Sequence, residues 1–478
     1  MSEGGPLKNR VVRSGLWVGV SDASLAVLGI VRSVVMARLL TPDIFGLMGL
    51  AQSATTAIET FTRPGIGEAL IVRQQSFEEA RSTGFTLLAI RGVLMAIVLT
   101  LSAPWVARFY ARDELSPMLQ ALSLVFVFSS LQNINIFAKR RELEFRQLTY
   151  LSQATAWVSL TVTIGATVWL RNVWALVIGQ VASVAIGAVL SYWIIPGSPR
   201  LSLNSAIARD LMSYGKFITG ASMVLFVASQ LDVIVIGKLL SVEQLGFYAL
   251  AFTATQQVST TLSKTASSIM MPAYSKVKSD LPALKRAFLR TVSLVMLVIL
   301  PTTAGMILVA APLIEVVYGA RWLPAVEPLR LLAVFGLFMS LVALSGYLFQ
   351  GMGVPSVAFK LGVLRLTIIA ILLVPMIQRY GISGAAVSVS IGIVAQWLAG
   401  LYFLRKLVTV SLSDMWHAVS RPLATTLAMA VVVGTLSAAI EGSTAAGLIA
   451  LVSTGAVTYA ALNWSVVGAL RKELSGMR

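Results

Sequence analysis

The chain has 478 residues, of which 57% are hydrophobic and only 12% are charged, and its mean hydropathy is +0.84. Soluble domains carry about 25% charged residues, so this composition excludes a water-exposed surface of ordinary polarity. Apolar runs of about 20 residues recur along the chain, which is the length that a helix needs to cross a bilayer. No stretch has the alternating pattern of an outer-membrane barrel. We therefore predict an all-helical, polytopic membrane protein.

The hydropathy pattern predicts about fourteen transmembrane helices. The predicted spans are 17–38, 44–66, 83–105, 116–137, 148–170, 173–195, 214–240, 244–270, 288–311, 326–350, 356–377, 381–404, 419–440 and 445–467. We predict two six-helix bundles around a central cavity, followed by two C-terminal helices. The predicted divisions are a cytoplasmic tail (1–13), an N-terminal bundle (14–195), a cytoplasmic linker (196–213), a C-terminal bundle (214–406) and a final helix pair with a cytoplasmic tail (407–478).

Two stretches two hundred residues apart match without a gap. Residues 37–51 read ARLLTPDIFGLMGLA and residues 237–251 read GKLLSVEQLGFYALA, which aligns Gly46 with Gly246. Each copy has the pattern of a helix end, a tight turn and a helix start. Because six predicted spans separate the copies, both enter the membrane in the same direction. The sequence therefore predicts a parallel repeat about a pseudo-two-fold axis along the membrane normal.

The distribution of Lys and Arg predicts the orientation of the chain in the membrane. The net charge is +17, which could indicate a nucleic-acid partner, but Lys and Arg favour the segments on the N-terminal side of the membrane by about three to one. This distribution follows the positive-inside rule, so we expect both termini in the cytoplasm and no nucleic-acid partner.

The chain contains few groups that could support catalysis or bind a metal. It has no cysteine, which excludes thiolate metal sites and cysteine nucleophiles, and its one histidine, His417, is interpreted as a solvated loop residue. Gly215 and Lys216 are followed by Phe217, so they do not form a P-loop. We expect no cofactor, no metal and no catalytic site, which leaves transport as the predicted activity.

Eight ionisable residues fall within or at the margins of predicted spans, where a charge costs about 2.5–3.5 kcal/mol on insertion scales. The cations are Arg32, Arg63, Arg91, Lys264 and Arg365, and the acids are Asp22, Glu59 and Asp232. We expect most of them to face a protein interior or an aqueous cavity. Arg91 and Arg365 could instead snorkel to the cytoplasmic surface, and Arg63 could form a local ion pair with Glu59 four residues earlier.

Arg32 and Asp232 occupy equivalent positions of the repeat but carry opposite charges. We hypothesise that they meet across the cavity in one conformational state and separate in another, which would form a gate. The alternative is that each forms contacts inside its own bundle. Uncharged polar residues also recur within the spans, and such groups bind either neighbouring helices or sugar hydroxyls. The uncharged polar residues are Gln52, Asn133, Asn135, Gln153, Gln180, Gln230, Gln256, Gln257, Gln350 and Gln396.

The N-terminal sequence GLWVGVSDASLAVLGIVRSVVMARLLTPDIFGLMGLAQSA, with the later FTRPGIGEALIVRQ, resembles bacterial polysaccharide-biosynthesis flippases of the Wzx/WzxC type. These belong to the multidrug/oligosaccharidyl-lipid/polysaccharide exporter superfamily, which also has two six-helix bundles. The resemblance implies alternating-access translocation of undecaprenyl-pyrophosphate-linked oligosaccharides from the cytoplasmic to the periplasmic leaflet. It further implies membrane lipids and a polysaccharide polymerase or export complex as partners.

This resemblance suggests roles for the intramembrane charges. One guanidinium group can bind two phosphate oxygens at once, so we expect a cationic cavity that binds the pyrophosphate. Its expected members are Arg32, Arg91, Lys264, Arg365 and Arg63. The acidic residues Asp22, Glu59 and Asp232 are the candidates for gating or for binding a coupling proton or cation.

Three alternatives remain open from the residues. A drug/cation antiporter of the same superfamily would need an acidic cavity, which the basic excess disfavours. A lipid II flippase shares the architecture and a basic cavity but has a different N-terminal pattern. A membrane enzyme such as an O-antigen polymerase or ligase would normally carry a large periplasmic loop, which the predicted loops are too short to provide.

Overall fold

The computed structural model describes residues 4–62, 66–72, 77–142, 144–197, 199–257, 274, 280–440 and 442–464. Regular structure within these ranges is helical. The chain divides into two compact units, Met1–Ala249 and Leu250–Arg478.

The first unit is built from long helices joined by short connections. They are α1 (Gly4–Leu39), α2 (Pro42–Phe61), α3 (Ile66–Val72), α4 (Phe77–Tyr110), α5 (Leu115–Ser130), α6 (Asn135–Arg141), α7 (Phe145–Leu170), α8 (Val173–Ile194) and α9 (Ser205–Leu239). A further helix, α10, begins within this unit and is described over residues 242–257.

The second unit is also built from helices joined by short connections. It contains α11 (Leu281–Leu308), α12 (Ala310–Leu313), a π-helical turn (Ile314–Tyr318), a 3₁₀ turn (Ala320–Ala325), α13 (Val326–Gly351), α14 (Pro355–Val408), α15 (Leu412–Ala439) and α16 (Ala445–Leu462). Gly381 interrupts α14 with a φ of 58°, a conformation that glycine adopts without steric cost. Gly384 packs against Met376 and Gly392 against Ile369, so the chain reverses between the predicted spans 356–377 and 381–404.

Several helices have the length and composition of membrane spans. Seven helices in the described part of the chain are long and apolar enough to cross a bilayer, or eight if α5 and α6 together form one span. The prediction of an all-helical protein with multiple membrane-spanning segments is thus confirmed. Many large apolar side chains are exposed on these helices, including Trp105 and Trp193, as lipid-facing surfaces require.

Residues that lie between neighbouring predicted spans are found at observed helix ends. Pro42 occupies the first turn of α2, where its missing N–H removes no helical hydrogen bond. Arg171 adopts a left-handed conformation with a φ of 48° at the end of α7. Asn172 then caps α8, and its side-chain oxygen accepts a hydrogen bond of 3.0 Å from the N–H of Trp174.

The predicted span 116–137 is not one continuous helix in the structure, because α5 and α6 meet at a bend of 57°. Asn133 is 1% exposed, and its Nδ2 donates to the carbonyl oxygens of Ile195 at 2.7 Å and Gly197 at 2.9 Å. Its Oδ1 accepts from the N–H of Asn135 at 3.0 Å. The last bond satisfies a backbone N–H at the break between the two helices, and the other two join the bend to the segment after α8, so the bend is a specific feature of this segment.

The segment after α8 is hydrogen-bonded to this bend and to α4. Asn135 donates to the carbonyl of Pro196 at 2.9 Å. Further along, the hydroxyl of Thr86 donates to the carbonyl of Ser202 and accepts from its N–H, both at 3.0 Å. Asn204 then caps α9, which begins at Ser205 within the predicted linker 196–213. We call residues 195–204 the strap.

The final helices pack against α11 in the second unit. A buried apolar cluster joins them, formed by Val309, Met429, Val433, Leu448 and Leu451. At the other end of these helices, Lys285 and Asp414 form an ion pair of 2.6 Å. Asp414 also accepts from the N–H and hydroxyl of Ser411, which completes a capping box at the start of α15.

Candidate functional site

Arg91 lies on α4 and binds the C-terminal end of α2. Its Nε donates to the carbonyl of Thr62 at 2.9 Å, and its Nη2 donates to the carbonyl of Glu59 at 3.1 Å. The last carbonyls of a helix have no intrahelical partner and carry partial negative charge. The guanidinium therefore neutralises this helix end as well as contributing charge to its surroundings.

Arg91 and Glu59 also line one cavity of about 300 Å³, which lies at the α5–α6 bend. We call it the bend cavity. Its polar lining consists of Glu59, Arg91, Ser129, Ser130, Gln132, Asn133 and Arg140. The cavity thus combines two guanidinium groups, a carboxylate, two hydroxyls and two amides, the groups that hydrogen-bond phosphates and sugar hydroxyls.

Three of these side chains have their polar groups available to a ligand. Within the described residues, the carboxylate of Glu59, the amide of Gln132 and the guanidinium of Arg140 make no hydrogen bond or ion pair. The guanidinium of Arg140 lies 5.9 Å from the ring centroid of Phe137, which also lines the cavity. A Cβ added at Gly67 would overlap this ring, so the glycine leaves the space that the ring occupies.

Asp232 is buried and lies apart from the bend cavity. It is 3% exposed, and its Oδ2 accepts a hydrogen bond of 2.5 Å from the hydroxyl of the fully buried Tyr248. Arg32 is exposed and, among the residues that the structure describes, makes no hydrogen bond or ion pair. This arrangement corresponds to the alternative in which Asp232 finds its partner on the neighbouring helix rather than in Arg32.

Arg365 is a residue of α14 in the second unit, and its guanidinium lies against α13. Its guanidinium carbon is 5.3 Å from the ring centroid of Phe335, a cation–π distance. A Cβ added at Gly392 would approach its Cγ to 3.5 Å. The stem of Arg365 thus packs inside the unit, in partly buried surroundings.

The remaining predicted site residues are separated from these groups. Asp22 is partly buried beside a polar cluster in which Gln153 donates to the carbonyl and hydroxyl of Ser21, both at 3.1 Å. Arg63 and Lys264 lie outside the described residues. Of the described members of the predicted set, only Glu59 and Arg91 line the same cavity.

The repeated hairpins contact each other reciprocally. A Cβ added at Gly46 would overlap the carbonyl of Val242, and a Cβ added at Gly246 would overlap the carbonyl of Pro42. Positions 42 and 242 are equivalent in the repeat, as are positions 46 and 246. Each glycine therefore packs on the backbone of the residue that begins the other hairpin's second helix.

Several residues of these sites were not identified from the sequence, among them Arg140, Gln132 and Tyr248. Arg140 lies just beyond the predicted span 116–137, although it lines the bend cavity. Gln132 adjoins Asn133, and this polar pair inside an apolar run is the sequence feature that could have identified Gln132. Tyr248 carried no such signal, because nothing local identifies it as the partner of a carboxylate sixteen residues earlier.

The sequence profile of the family described as "Polysaccharide biosynthesis protein" matches residues 35–327. The teichuronic acid biosynthesis protein TuaB of Bacillus subtilis is 24% identical over 429 residues, which cover 89% of each chain. The lipopolysaccharide biosynthesis protein WzxC of Escherichia coli is 21% identical over 388 residues, which cover 81% of this chain and 78% of WzxC.

The fold is shared with a solved transporter structure. The lipid II flippase MurJ in an inward closed conformation superposes with a TM-score of 0.76 over 95% of this chain and 99% of MurJ. The two chains are 14% identical, so this likeness establishes a common fold and carries no information about the substrate.

Proposed function

Since the chain belongs to the polysaccharide biosynthesis protein family, we propose that it translocates undecaprenyl-pyrophosphate-linked oligosaccharides across the bacterial inner membrane. The units would pass from the cytoplasmic to the periplasmic leaflet for assembly into an exopolysaccharide or lipopolysaccharide. The observation that carries this proposal is the family match, which extends over most of the first unit and into the second. The multi-pass helical architecture and the relationship to WzxC support it.

The proposed membrane arrangement has about fourteen spans and both termini in the cytoplasm. It is supported by the helix ends at the predicted turns and by the excess of Lys and Arg on one side. We further propose that the two bundles form a parallel repeat. The reciprocal contacts of Gly46 and Gly246 support this symmetry, because equivalent positions meet in both directions.

Translocation by alternating access requires the two bundles to separate on each side of the membrane in turn. The hairpin contact lies at turns that the orientation assigns to the periplasmic side. We propose that it holds that side closed and opens when the substrate is released. The two glycines allow this close contact, because each packs on a backbone carbonyl of the opposite hairpin.

The intramembrane cations provide attraction for the pyrophosphate, with Arg32 as the most available of the described members because it makes no ion pair within the described chain. Arg91, Arg365, Arg63 and Lys264 complete the proposed cationic set. Asp22 and Glu59 are proposed to bind a coupling proton or cation, and Asp232 to stabilise the hairpin through Tyr248.

Deletion of the gene, followed by extraction of lipid-linked oligosaccharides, tests this function. We expect complete units to accumulate on the cytoplasmic face and the surface polymer to disappear, and both defects to be corrected by the wild-type gene. Normal polymer in the deletion strain would contradict the proposal. Loss of cell-wall synthesis with normal polymer would instead favour a lipid II flippase, the function of the protein whose fold matches over 95% of the chain.

A further inference from the structure

We propose that the bend cavity binds a sugar residue of the lipid-linked oligosaccharide and that Glu59, Gln132 and Phe137 select which sugar is accepted. This inference rests on the proposed function and assigns a specificity site within the first unit. Its starting point is the set of available polar groups beside an aromatic ring in a cavity of about 300 Å³. That volume is at the lower end of ligand cavities, so it suits a short sugar segment rather than a whole oligosaccharide.

The available groups match the hydrogen bonding of a hydroxyl-rich ring. A sugar hydroxyl donates one hydrogen bond and accepts others, so it needs both kinds of partner. The carboxylate of Glu59 only accepts, the guanidinium of Arg140 only donates, and the amide of Gln132 does both. These three side chains line the same cavity and make no hydrogen bond within the described chain.

The two serines of the cavity add acceptors. The hydroxyl of Ser129 donates to the carbonyl of Phe126 at 3.0 Å, and that of Ser130 donates to the carbonyl of Val127 at 2.7 Å. Because their hydrogens are already used, the serine oxygens face a ligand as acceptors. Sugar hydroxyls can donate to them, whereas a fully ionised phosphate cannot.

Phe137 supplies an apolar surface of the kind on which the C–H face of a sugar ring packs. One side of the ring packs against Gly67, and the ring centroid lies 5.9 Å from the guanidinium of Arg140. An aromatic ring fixed in this way discriminates between sugars by the orientation of their hydroxyls, because an axial hydroxyl on the packed face would be desolvated without a partner.

The acceptors of the cavity favour a sugar over a bare phosphate. Glu59 places a carboxylate in the lining, and two hydrogen bonds of Arg91 already bind the carbonyls at the end of α2. A pyrophosphate here would be attracted by Arg91 and Arg140, but Glu59 would repel it and it has no hydrogen to donate to the oxygens of Glu59, Ser129 and Ser130. A neutral, hydroxylated ligand meets no such repulsion.

The test measures binding of free sugars by saturation-transfer difference NMR on the purified full-length protein in detergent. The panel is glucose, galactose, mannose, N-acetylglucosamine and N-acetylgalactosamine, with inorganic pyrophosphate as a competitor. We expect at least one sugar to bind and pyrophosphate not to displace it. Gln132→Leu and Glu59→Gln should each weaken that binding by about tenfold, the effect of one lost hydrogen bond to a charged or buried partner.

Matched controls separate this site from general damage. Gln120→Leu changes an exposed amide on α5, the helix that ends two residues before Gln132, and Glu114→Gln changes an exposed carboxylate just before α5; neither residue lines the cavity. Both should bind sugar as the wild type does. Glu59→Gln retains the backbone carbonyl that Arg91 binds, and a melting temperature equal to that of wild type confirms that its fold is intact.

Three outcomes would overturn the proposal: no sugar of the panel binds, binding survives both cavity variants, or pyrophosphate displaces the sugar and loses affinity in the same variants. The last result would assign the cavity to phosphate. None of these outcomes affects the deletion phenotype, so the flippase assignment stands or falls separately. In cells, Gln132→Leu should reduce export of the native unit while units built on other sugars are less affected.

Discussion

The two repeated hairpins share a scaffold and differ in their charges. In the first hairpin, residues 32–49, position 32 is an exposed arginine and position 48 is a methionine. In the second, residues 232–249, the equivalent positions are a buried aspartate and the tyrosine that binds it. The glycines at positions 46 and 246 are the same and contact the opposite backbone in both directions.

This difference indicates which features the symmetry preserves. The contact of position 46 with position 242 is repeated as the contact of position 246 with position 42. Both copies therefore need a residue without a side chain at this position, and both have glycine. Asp232 and Tyr248 form a contact within one hairpin, so they can differ from Arg32 and Met48 without affecting the shared interface. One hairpin thus keeps a buried polar pair, and the other keeps an available cation.

The largest expected effect comes from breaking the shared contact. In Gly246→Ala and Gly46→Ala, the new methyl group would overlap a backbone carbonyl that no side-chain rotation can move. Overpacking of this kind costs about 1–3 kcal/mol. We expect a lower melting temperature for the purified protein and reduced export of the lipid-linked unit.

Gly49→Ala is the matched control in the same helix. No atom lies within 4 Å of its added Cβ, and the equivalent residue of the second hairpin is Ala249. Alanine is favoured over glycine inside a helix by about 0.5–1 kcal/mol, so this variant should be equally stable or more stable. Equal melting temperatures for Gly46→Ala and Gly49→Ala would contradict the close contact.

A second prediction concerns the pair that only the second hairpin has. Tyr248→Phe leaves the buried carboxylate of Asp232 without its phenol donor, which should cost about 1–3 kcal/mol of unfolding free energy. Adding Asp232→Leu removes the buried carboxylate as well, so the double variant should lose less unfolding free energy than the sum of the two single losses. Denaturant or thermal unfolding of the four proteins measures this coupling, and strict additivity would show that the pair contributes nothing.

A third, smaller effect is expected at the end of α2. Arg91→Gln removes the charge from two hydrogen bonds to terminal carbonyls, and such helix-end interactions contribute about 0.3–1 kcal/mol. The melting temperature should fall slightly and the fall should diminish in high salt. Arg200→Gln, at an exposed strap residue, serves as the control and should leave stability unchanged.

The smallest effect on stability is expected at the available cation of the first hairpin. Arg32 is exposed and makes no polar contact in the described chain, so Arg32→Gln should change the unfolding free energy by less than about 0.5 kcal/mol. Export should fall nonetheless if the residue binds the pyrophosphate. A variant that melts much earlier than wild type would place Arg32 among the structural residues instead.

The sequence predicted the features that depend on local chemistry. Pro42 and Asn172 marked helix starts because their conformational and capping preferences act within a few residues. The bend at Asn133 was missed, since its cause is a set of carbonyls about sixty residues away at Ile195 and Gly197. The bend cavity depends on that bend, so its full lining could not be predicted either, although Glu59 and Arg91 were identified.

The strap has a practical consequence for protein engineering. Segments between bundles are the usual places for inserting a fluorescent protein, splitting a chain or permuting its termini, because their backbone is normally free. Here backbone groups of Ile195, Pro196, Ser202 and Asn204 form hydrogen bonds with the side chains of Asn133, Asn135, Thr86 and Thr83. An insertion in the strap would disconnect the α5–α6 bend, whereas the connection at Glu114 before α5 offers an exposed alternative. Fusion proteins that report transport should therefore be inserted at Glu114 and not in the strap.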